Sequence, residues 1–121
     1  MSAGDAHTQA MSLPIREIVS QLLELLDATT IAVIAGVHET RAVNSWLGAR
    51  EPQRPQVLRF ALQLASMIAD ASGAEICKAW FHGSNPHLND RVPMLMLRDL
   101  PLSDIQPELL AAARLFAARP Q

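Results

Sequence analysis

The fold class follows from the segment QVLRFALQLASMIADA, residues 56–71. Its apolar side chains recur at steps of three and four residues, the periodicity of one face of an α-helix: Val57, Ala61, Leu64, Ala65 and Ile68. The stretch before it, residues 50–55, contains two prolines that bias their preceding residues away from helix, so it is expected to be a loop. We therefore expect a long central helix that two halves of the protein share.

Three shorter segments on the N-terminal side also have helical character. A first helix is expected to begin near Ser12, and the apolar stripe over residues 15–26 predicts that it is amphipathic. Asp27 or Thr29 can cap a second helix, and Gly36 can adopt the left-handed conformation that commonly ends one. A third helix is expected over residues 38–47, followed by Gly48.

Sequence patterns on the C-terminal side of the central helix predict further helices. Ser72 and Glu75 have the spacing of a capping box, which predicts a helix that ends at Gly83 and turns Ile76, Ala79 and Trp80 inward. Residues 93–99 are expected to form one or two turns, and a second capping-box pattern predicts a last helix over residues 107–118. No useful segment alternates with period two, so we expect an all-α fold of about six helices.

Composition excludes several classes of protein. Half of the 121 residues are apolar and 18% are charged, which is typical of a globular chain and not of a disordered one. The single cysteine excludes an internal disulfide framework, and no apolar run reaches the ~20 residues that span a bilayer. Residues 1–11 are polar, lack the layout of a signal peptide and are expected to form a disordered tail. We expect a cytoplasmic protein without a membrane partner.

The second and third helices have the layout of a helix-turn-helix, in which the second member enters the DNA major groove. Val43 and Trp46 would pack the third helix on its neighbours, although both lie one residue further from Gly36 than in the commonest spacing. The residues expected to contact DNA are Thr40, Arg41, Asn44, Ser45, Arg50 and Arg54. The alternative is an ordinary helical hairpin with a solvated polar face.

Arginines are concentrated next to this helix pair. Residues 41–59 hold four arginines and one glutamate, a local balance of +3, whereas the whole chain has a net charge of -2. Such a cluster is typical of a surface that contacts DNA phosphates. Its modest size predicts weak binding by a monomer, so dimerisation is expected.

Enzyme chemistry has little support. Cys77, His82 and His87 are close in sequence, but they lack the paired spacings of a zinc site. Neither a phosphate-binding glycine loop nor a nucleophile elbow is present in the sequence. We therefore expect no catalysis, no metal and no cofactor. A small metal-dependent or hydrolytic enzyme is kept as an alternative hypothesis.

The most distinctive stretch is AWFHGSNPHLNDRVP, residues 79–93. An aromatic residue can anchor this loop at the end of a helix, and Leu88 can return it to the core. Asn85 can close an Asx turn, with Pro86 fixing the direction of the chain. Arg91 can donate to loop carbonyl groups or to an acidic partner. We therefore expect an ordered loop.

This stretch resembles the toxin-binding loop of the Xre/MbcA/ParS family of antitoxins, which has the pattern W-F-x-x-x-N-P-x-L-x-x-R-x-P. The preceding run IAGVHETRAVNSWLG, residues 34–48, resembles that family's Xre-like helix-turn-helix. Asp90 stands where the family often has glycine. The likeness covers about residues 12–118. It implies a DNA-binding domain over residues 12–60 and a toxin-binding domain over residues 61–121.

The resemblance also implies a function. Such antitoxins bind a RES-domain toxin that degrades NAD, block its active site and often repress their own operon. Partners would be that toxin and operator DNA, with a homodimer and larger complexes with the toxin. The implied toxin-binding residues are Trp80, Phe81, Asn85, Pro86, Leu88, Arg91, Pro93, Arg114, Phe116 and Arg119.

Two alternatives stay open beside this interpretation. The protein could be a helix-turn-helix transcriptional regulator with a different partner or ligand. Trp80, together with the helically spaced Leu109, Ala113 and Phe116, could belong to the core instead of a binding surface.

Overall fold

The computed structural model describes His7, Ala10 and residues 12–120. Within these residues the fold is all-α, as predicted, with no strand and one isolated bridge between Asn85 and Arg91. The expected tail, residues 1–11, lies outside the described part apart from His7 and Ala10. Seven α-helices have both ends within residues 12–120: α1 (Ile15–Leu25), α2 (Ala28–Ala35), α3 (Thr40–Ser45), α4 (Pro55–Ser72), α5 (Ala74–His82), α6 (Pro93–Asp99) and α7 (Leu102–Ala117).

The ends of α2 follow from two residues. Asp27 precedes the helix in an extended conformation, and its carboxylate accepts a hydrogen bond from the Thr30 amide at 2.8 Å. This bond satisfies one of the amides that a helix N-terminus leaves unpaired. Gly36 ends the helix at φ 76°, a left-handed conformation that glycine adopts without steric cost. Of the two caps that the sequence allowed, the structure uses Asp27, and the predicted end at Gly36 is confirmed.

Helix α4 is the centre of the molecule. Between Val57 and Ile68 its side chains are buried on nearly every side, including the polar Gln63 and Ser66. A helix that is apolar all round belongs inside a protein, and α4 packs against α1, α5 and α7. The residues predicted to face inward are therefore buried, but burial extends to most of the other side chains of α4 as well.

Two helix starts differ from the sequence prediction. Ser72 does not cap α5: it ends α4, and Gly73 at φ 90° separates the two helices. The last helix begins at Leu102 instead of Pro107, so Pro107 lies inside α7. Pro107 is the sixth residue of α7, so its missing N–H removes the helical bond to the Ser103 carbonyl.

One hydrophobic cluster connects both halves of the described chain. It includes Ile18 of α1, Ile31 of α2, Leu64 of α4 and Leu109 of α7. The boundary between residues 60 and 61 that the resemblance implies falls within α4. The two halves are thus built on one core. Among the described residues, no helix is long and apolar enough to cross a bilayer.

Candidate functional site

Helices α2 and α3 pack against each other across the turn at Gly36. Val43 and Trp46 are buried and hold α3 on its neighbours, as the sequence predicted. Thr40 and Asn44 face solvent on the opposite side of this short helix. The Ser45 hydroxyl is partly buried and donates to its own backbone, at the Ala42 carbonyl 2.5 Å away. Three of the four predicted α3 contacts, including the exposed Arg41, are therefore open to a ligand.

Some arginines of the cluster are exposed on the surface, and others bond to backbone carbonyl groups within the fold. Arg41 and Arg50 are exposed, and Arg41 Nη2 donates to Glu39 Oε2 at 2.7 Å. Arg59 Nη1 instead donates to the carbonyl groups of Ala10 and Leu13, at 3.1 and 2.6 Å. The +3 balance of the sequence thus overstates the charge available on the surface.

Arg54 requires a correction. It was expected to contact DNA, but its guanidinium donates to three backbone carbonyl groups. Nη1 reaches Ile34 O at 3.1 Å and Arg98 O at 3.2 Å, and Nη2 reaches Leu97 O at 2.8 Å. Arg54 therefore joins the ends of α2 and α6, which lie far from it in sequence. This role is structural.

The second candidate region is the loop between α5 and α6. The Asn85 side chain accepts from the His87 amide at 2.9 Å, which confirms the Asx turn, and residues Pro86–Leu88 form a short 3₁₀ helix. The Asn85 amide also donates to the Arg91 carbonyl at 3.1 Å, so the loop closes on itself. The expected ordered loop is confirmed.

Asn89 and Asp90 adopt left-handed backbone conformations in this loop, with φ of 56° and 63°. Asparagine and aspartate tolerate this region better than other non-glycine residues, because their short polar side chains bond locally. Glycine would adopt it without cost. The backbone thus explains why a loop of this shape favours glycine at position 90.

Several predicted toxin contacts anchor the loop from inside. Five residues of this set are buried, so the expected direct contact with a partner is corrected for Trp80, Phe81, Asn85, Leu88 and Pro93. The Trp80 ring packs edge-on against Phe81 with centroids 5.2 Å apart. The expectation that core residues hold this loop was therefore correct.

Arg91 joins the loop to the last helix. Its Nε donates to the Leu88 carbonyl at 2.7 Å, and its Nη2 pairs with the carboxylate of Glu108 on α7. Arg91 satisfies both options that the sequence left open, a loop carbonyl and an acidic partner. Its main role is to fix the loop against α7.

An apolar groove of about 600 Å³ lies between α5, this loop and α7. Ile76 and Leu115 line it with 44% and 52% of their surface exposed, and they are two of three large apolar side chains this exposed among the described residues. At one end the Arg119 guanidinium lies 4.9 Å from the Phe116 ring centroid, a cation–π contact. We call this surface the α5–α7 groove.

The groove brings together half of the predicted toxin-binding set: Trp80, Asn85, Pro86, Phe116 and Arg119. Arg114 is exposed on α7 but does not line it. The sequence analysis missed Leu115 and placed Ile76 inward. That orientation is wrong, because Cys77, Trp80 and Phe81 form the buried face of α5, one residue further along.

A polar chain joins the two candidate regions. The Thr30 hydroxyl donates to Asp27 Oδ1 at 2.6 Å and lies 2.7 Å from Nε2 of His82. Thr30 O–H and N–H bonds, with smaller contributions from the charges of Lys78 and His82, hold the pKa of Asp27 below its usual value. The start of α2 is thereby bonded to the end of α5, where the loop begins.

Cys77 belongs to the core, as the sequence suggested. Its thiol is buried against α4 with Sγ 3.4 Å from the Ala65 carbonyl, and burial raises its pKa to about 12. No group of three His, Cys, Asp or Glu side chains within the described part of the chain is placed to hold a metal ion.

With this geometry established, the chain was compared with known proteins. No protein-family model, curated protein or solved structure matches it.

Proposed function

We propose that this protein is an antitoxin that neutralises a RES-domain, NAD-degrading enzyme by binding it through the α5–α7 groove and blocking its active site. The observation that carries the proposal is the groove itself. Three accessible residues of the expected toxin-binding set, Pro86, Phe116 and Arg119, lie there around two exposed aliphatic side chains. Two observations thus support the proposal: the sequence resemblance and an exposed apolar groove.

The chemistry of the groove suits a protein partner. An exposed apolar patch is unfavourable in water and commonly marks an interaction site. Aromatic and arginine side chains, here Phe116 with Arg119 at one end, are enriched among the residues that dominate binding energy. The self-bonded loop and the Arg91–Glu108 pair hold the groove in shape before binding, which lowers the entropic cost of association.

The left-handed backbone at Asp90 supports the resemblance independently of the groove. The antitoxin loop often has glycine at this position, and φ of 63° is the conformation for which glycine is preferred. The sequence thus departs from the family pattern in the type of residue, while its backbone adopts a conformation that glycine favours.

The second part of the proposal is repression of the protein's own operon through α2 and α3. Thr40, Arg41 and Asn44 present hydrogen-bonding groups on the exposed side of α3, which suits contact with base edges or phosphates. Because α3 has only six residues and two nearby arginines bond to the fold, one copy would bind weakly. We expect a homodimer, or a larger complex with the toxin, to bind two half-sites.

Co-expression tests the first part. The proposal predicts an adjacent gene for a RES-domain enzyme; that enzyme should arrest growth and deplete NAD, and this protein should restore both. Leu115→Glu places a charge in the groove and should abolish rescue and co-purification. Leu47→Glu is the matched control, because Leu47 is similarly exposed, at 41%, but lies beside α3 and outside the groove.

The outcomes separate the hypotheses. Rescue by Leu115→Glu would show that the groove is not the contact surface. If the unmodified protein does not rescue but binds its own promoter, the alternative of a transcriptional regulator with another partner is favoured. Equal loss of rescue in both variants would point to misfolding, which thermal melting of each variant detects.

A further inference from the structure

A second cleft, of about 1030 Å³, opens beside α3. The turn after α2, one side of α3, the loop before α4 and the end of α6 form its walls. Four arginines line it: Arg41, Arg50, Arg54 and Arg98. Three of them belong to the cluster that the sequence revealed, and Arg98 comes from the half of the chain that the resemblance assigns to toxin binding.

The position of Arg98 beside the helix-turn-helix is fixed by Arg54. One guanidinium nitrogen, Arg54 Nη1, donates to the Ile34 carbonyl near the end of α2 and to the Arg98 carbonyl near the end of α6. Helices α2 and α6 also pack directly on each other. The Arg98 side chain thus extends from a backbone that is bonded to the α2–α3 pair.

The cleft has a positive balance that suits phosphate. Its four arginines face two lining carboxylates, Glu39 and Glu51, which leaves a difference of +2. Asp99 lowers this to +1 when it is included, because its two carboxylate oxygens accept from Arg98 Nε at 2.6 Å and from Arg98 Nη2 at 2.8 Å. A guanidinium can bind two phosphate oxygens at once, so a phosphate can replace this carboxylate on the half-exposed Arg98 with the same two-bond geometry.

We propose that Arg98, together with Arg50, binds the sugar-phosphate backbone of operator DNA along the edge of α3. The DNA-contacting surface then extends past residue 60 to include the end of α6. This inference rests on the DNA-binding part of the proposed function and adds a residue that the helix-turn-helix alone would not supply.

A DNA strand fits the cleft better than a free nucleotide. The one aromatic side chain that lines it, Trp46, is only 5% exposed, so a nucleobase would find little ring surface on which to stack. The cleft also continues onto the exposed face of α3 through Arg41, where base edges would be read. A phosphate in the cleft and a base at α3 can therefore belong to one duplex.

Fluorescence anisotropy with a duplex of the protein's own promoter, over a series of salt concentrations, tests the proposal. Arg98→Ala should weaken binding several-fold and reduce the slope of log K against log salt by about one unit, as expected for one lost phosphate contact. It should weaken binding to a scrambled duplex equally. Arg98→Lys should retain most of the affinity, and Asp99→Asn should increase it by freeing the guanidinium.

Arg114→Ala is the matched control, because Arg114 is exposed on α7 but does not line the cleft. If Arg98→Ala keeps the affinity and slope of the unmodified protein while Arg41→Ala loses affinity, the role of Arg98 is overturned and DNA binding stands. If Arg114→Ala weakens binding as much as Arg98→Ala, the effect is general charge and the inference also fails. If the unmodified protein binds no promoter DNA, alone or with the toxin, the proposed repression fails with it.

Discussion

The hydroxyl oxygen of Thr30 lies 2.7 Å from Nε2 of His82, 52 residues later in the chain. Because the fully buried Thr30 hydroxyl donates to Asp27, it accepts from His82, which therefore carries a hydrogen on Nε2. This bond joins the start of α2 to the end of α5. It is one of the polar links between the region proposed to contact DNA and the half of the chain proposed to contact the toxin.

Thr30→Val should destabilise the protein by about 1–3 kcal/mol, because it keeps the shape of the side chain but removes a buried hydroxyl that bonds to two partners. Urea unfolding monitored by circular dichroism measures this change. Thr29→Val, at the exposed neighbouring position of the same helix, is the control and should change stability by less than about 0.5 kcal/mol. Equal effects of both substitutions would mean that the buried bonds contribute nothing.

The Asp27 carboxylate should make stability depend on pH. Its pKa is lower in the folded protein than in the unfolded chain, chiefly through the bonds from Thr30. Its contribution is therefore present above the unfolded pKa, near 3.8, and is lost as pH falls through the lower folded value. Asp27→Ala should cost about 1 kcal/mol at pH 7, typical of a lost N-cap.

Urea titrations of Asp27→Ala and the unmodified protein at pH 7 and near pH 3 measure this dependence. The difference between the two proteins should narrow at the lower pH, because protonation removes the charged cap from the unmodified protein. A difference that stays constant or grows towards acid would contradict the assigned role of the carboxylate.

Cys77 should be unreactive in the native protein. Its thiol is buried and its pKa is raised to about 12, so the thiolate that reacts with alkylating reagents is scarce at pH 8. Iodoacetamide followed by mass spectrometry should show little modification in buffer and rapid modification in urea. Fast labelling of the folded protein would show that α5 opens readily.

Asp90 should be replaceable by glycine but not by valine. Glycine adopts φ of 63° freely, so Asp90→Gly is expected to be neutral or slightly stabilising. Asp90→Val should cost about 1–2 kcal/mol, because a β-branched side chain clashes in the left-handed region. Thermal melting of the two variants compares their stabilities. A valine variant more stable than the glycine variant would exclude a left-handed backbone at this position.

The parts of the fold that could be predicted depend on neighbouring residues. Asp27 and Gly36 set the ends of α2 through bonds within one turn, and Asn85 forms its Asx turn with a residue two positions away. The prolines before α4 and the apolar periodicity within it act over similarly short distances. Sequence reasoning succeeds where the deciding interaction is local.

The sequence predictions are wrong where contacts between residues far apart in sequence determine the structure. On α5 two stripes of equal spacing compete, one through Ile76 and one through Cys77, and packing against α4 selects the second. Arg54 looked like a DNA contact because its acceptors at residues 97 and 98 lie more than 40 positions away. The α5–α7 groove also depends on two helices that are separated in sequence, so its exposed Leu115 had no sequence signal.

The unbroken core along α4 has a consequence for turnover of the protein. A single core favours one cooperative unfolding transition, in which both candidate surfaces are lost together. A protease that captures the unfolded chain would then remove the inhibitor and the repressor in the same event. On the proposed function, one half-life in the cell would set both the release of the toxin and the renewal of transcription.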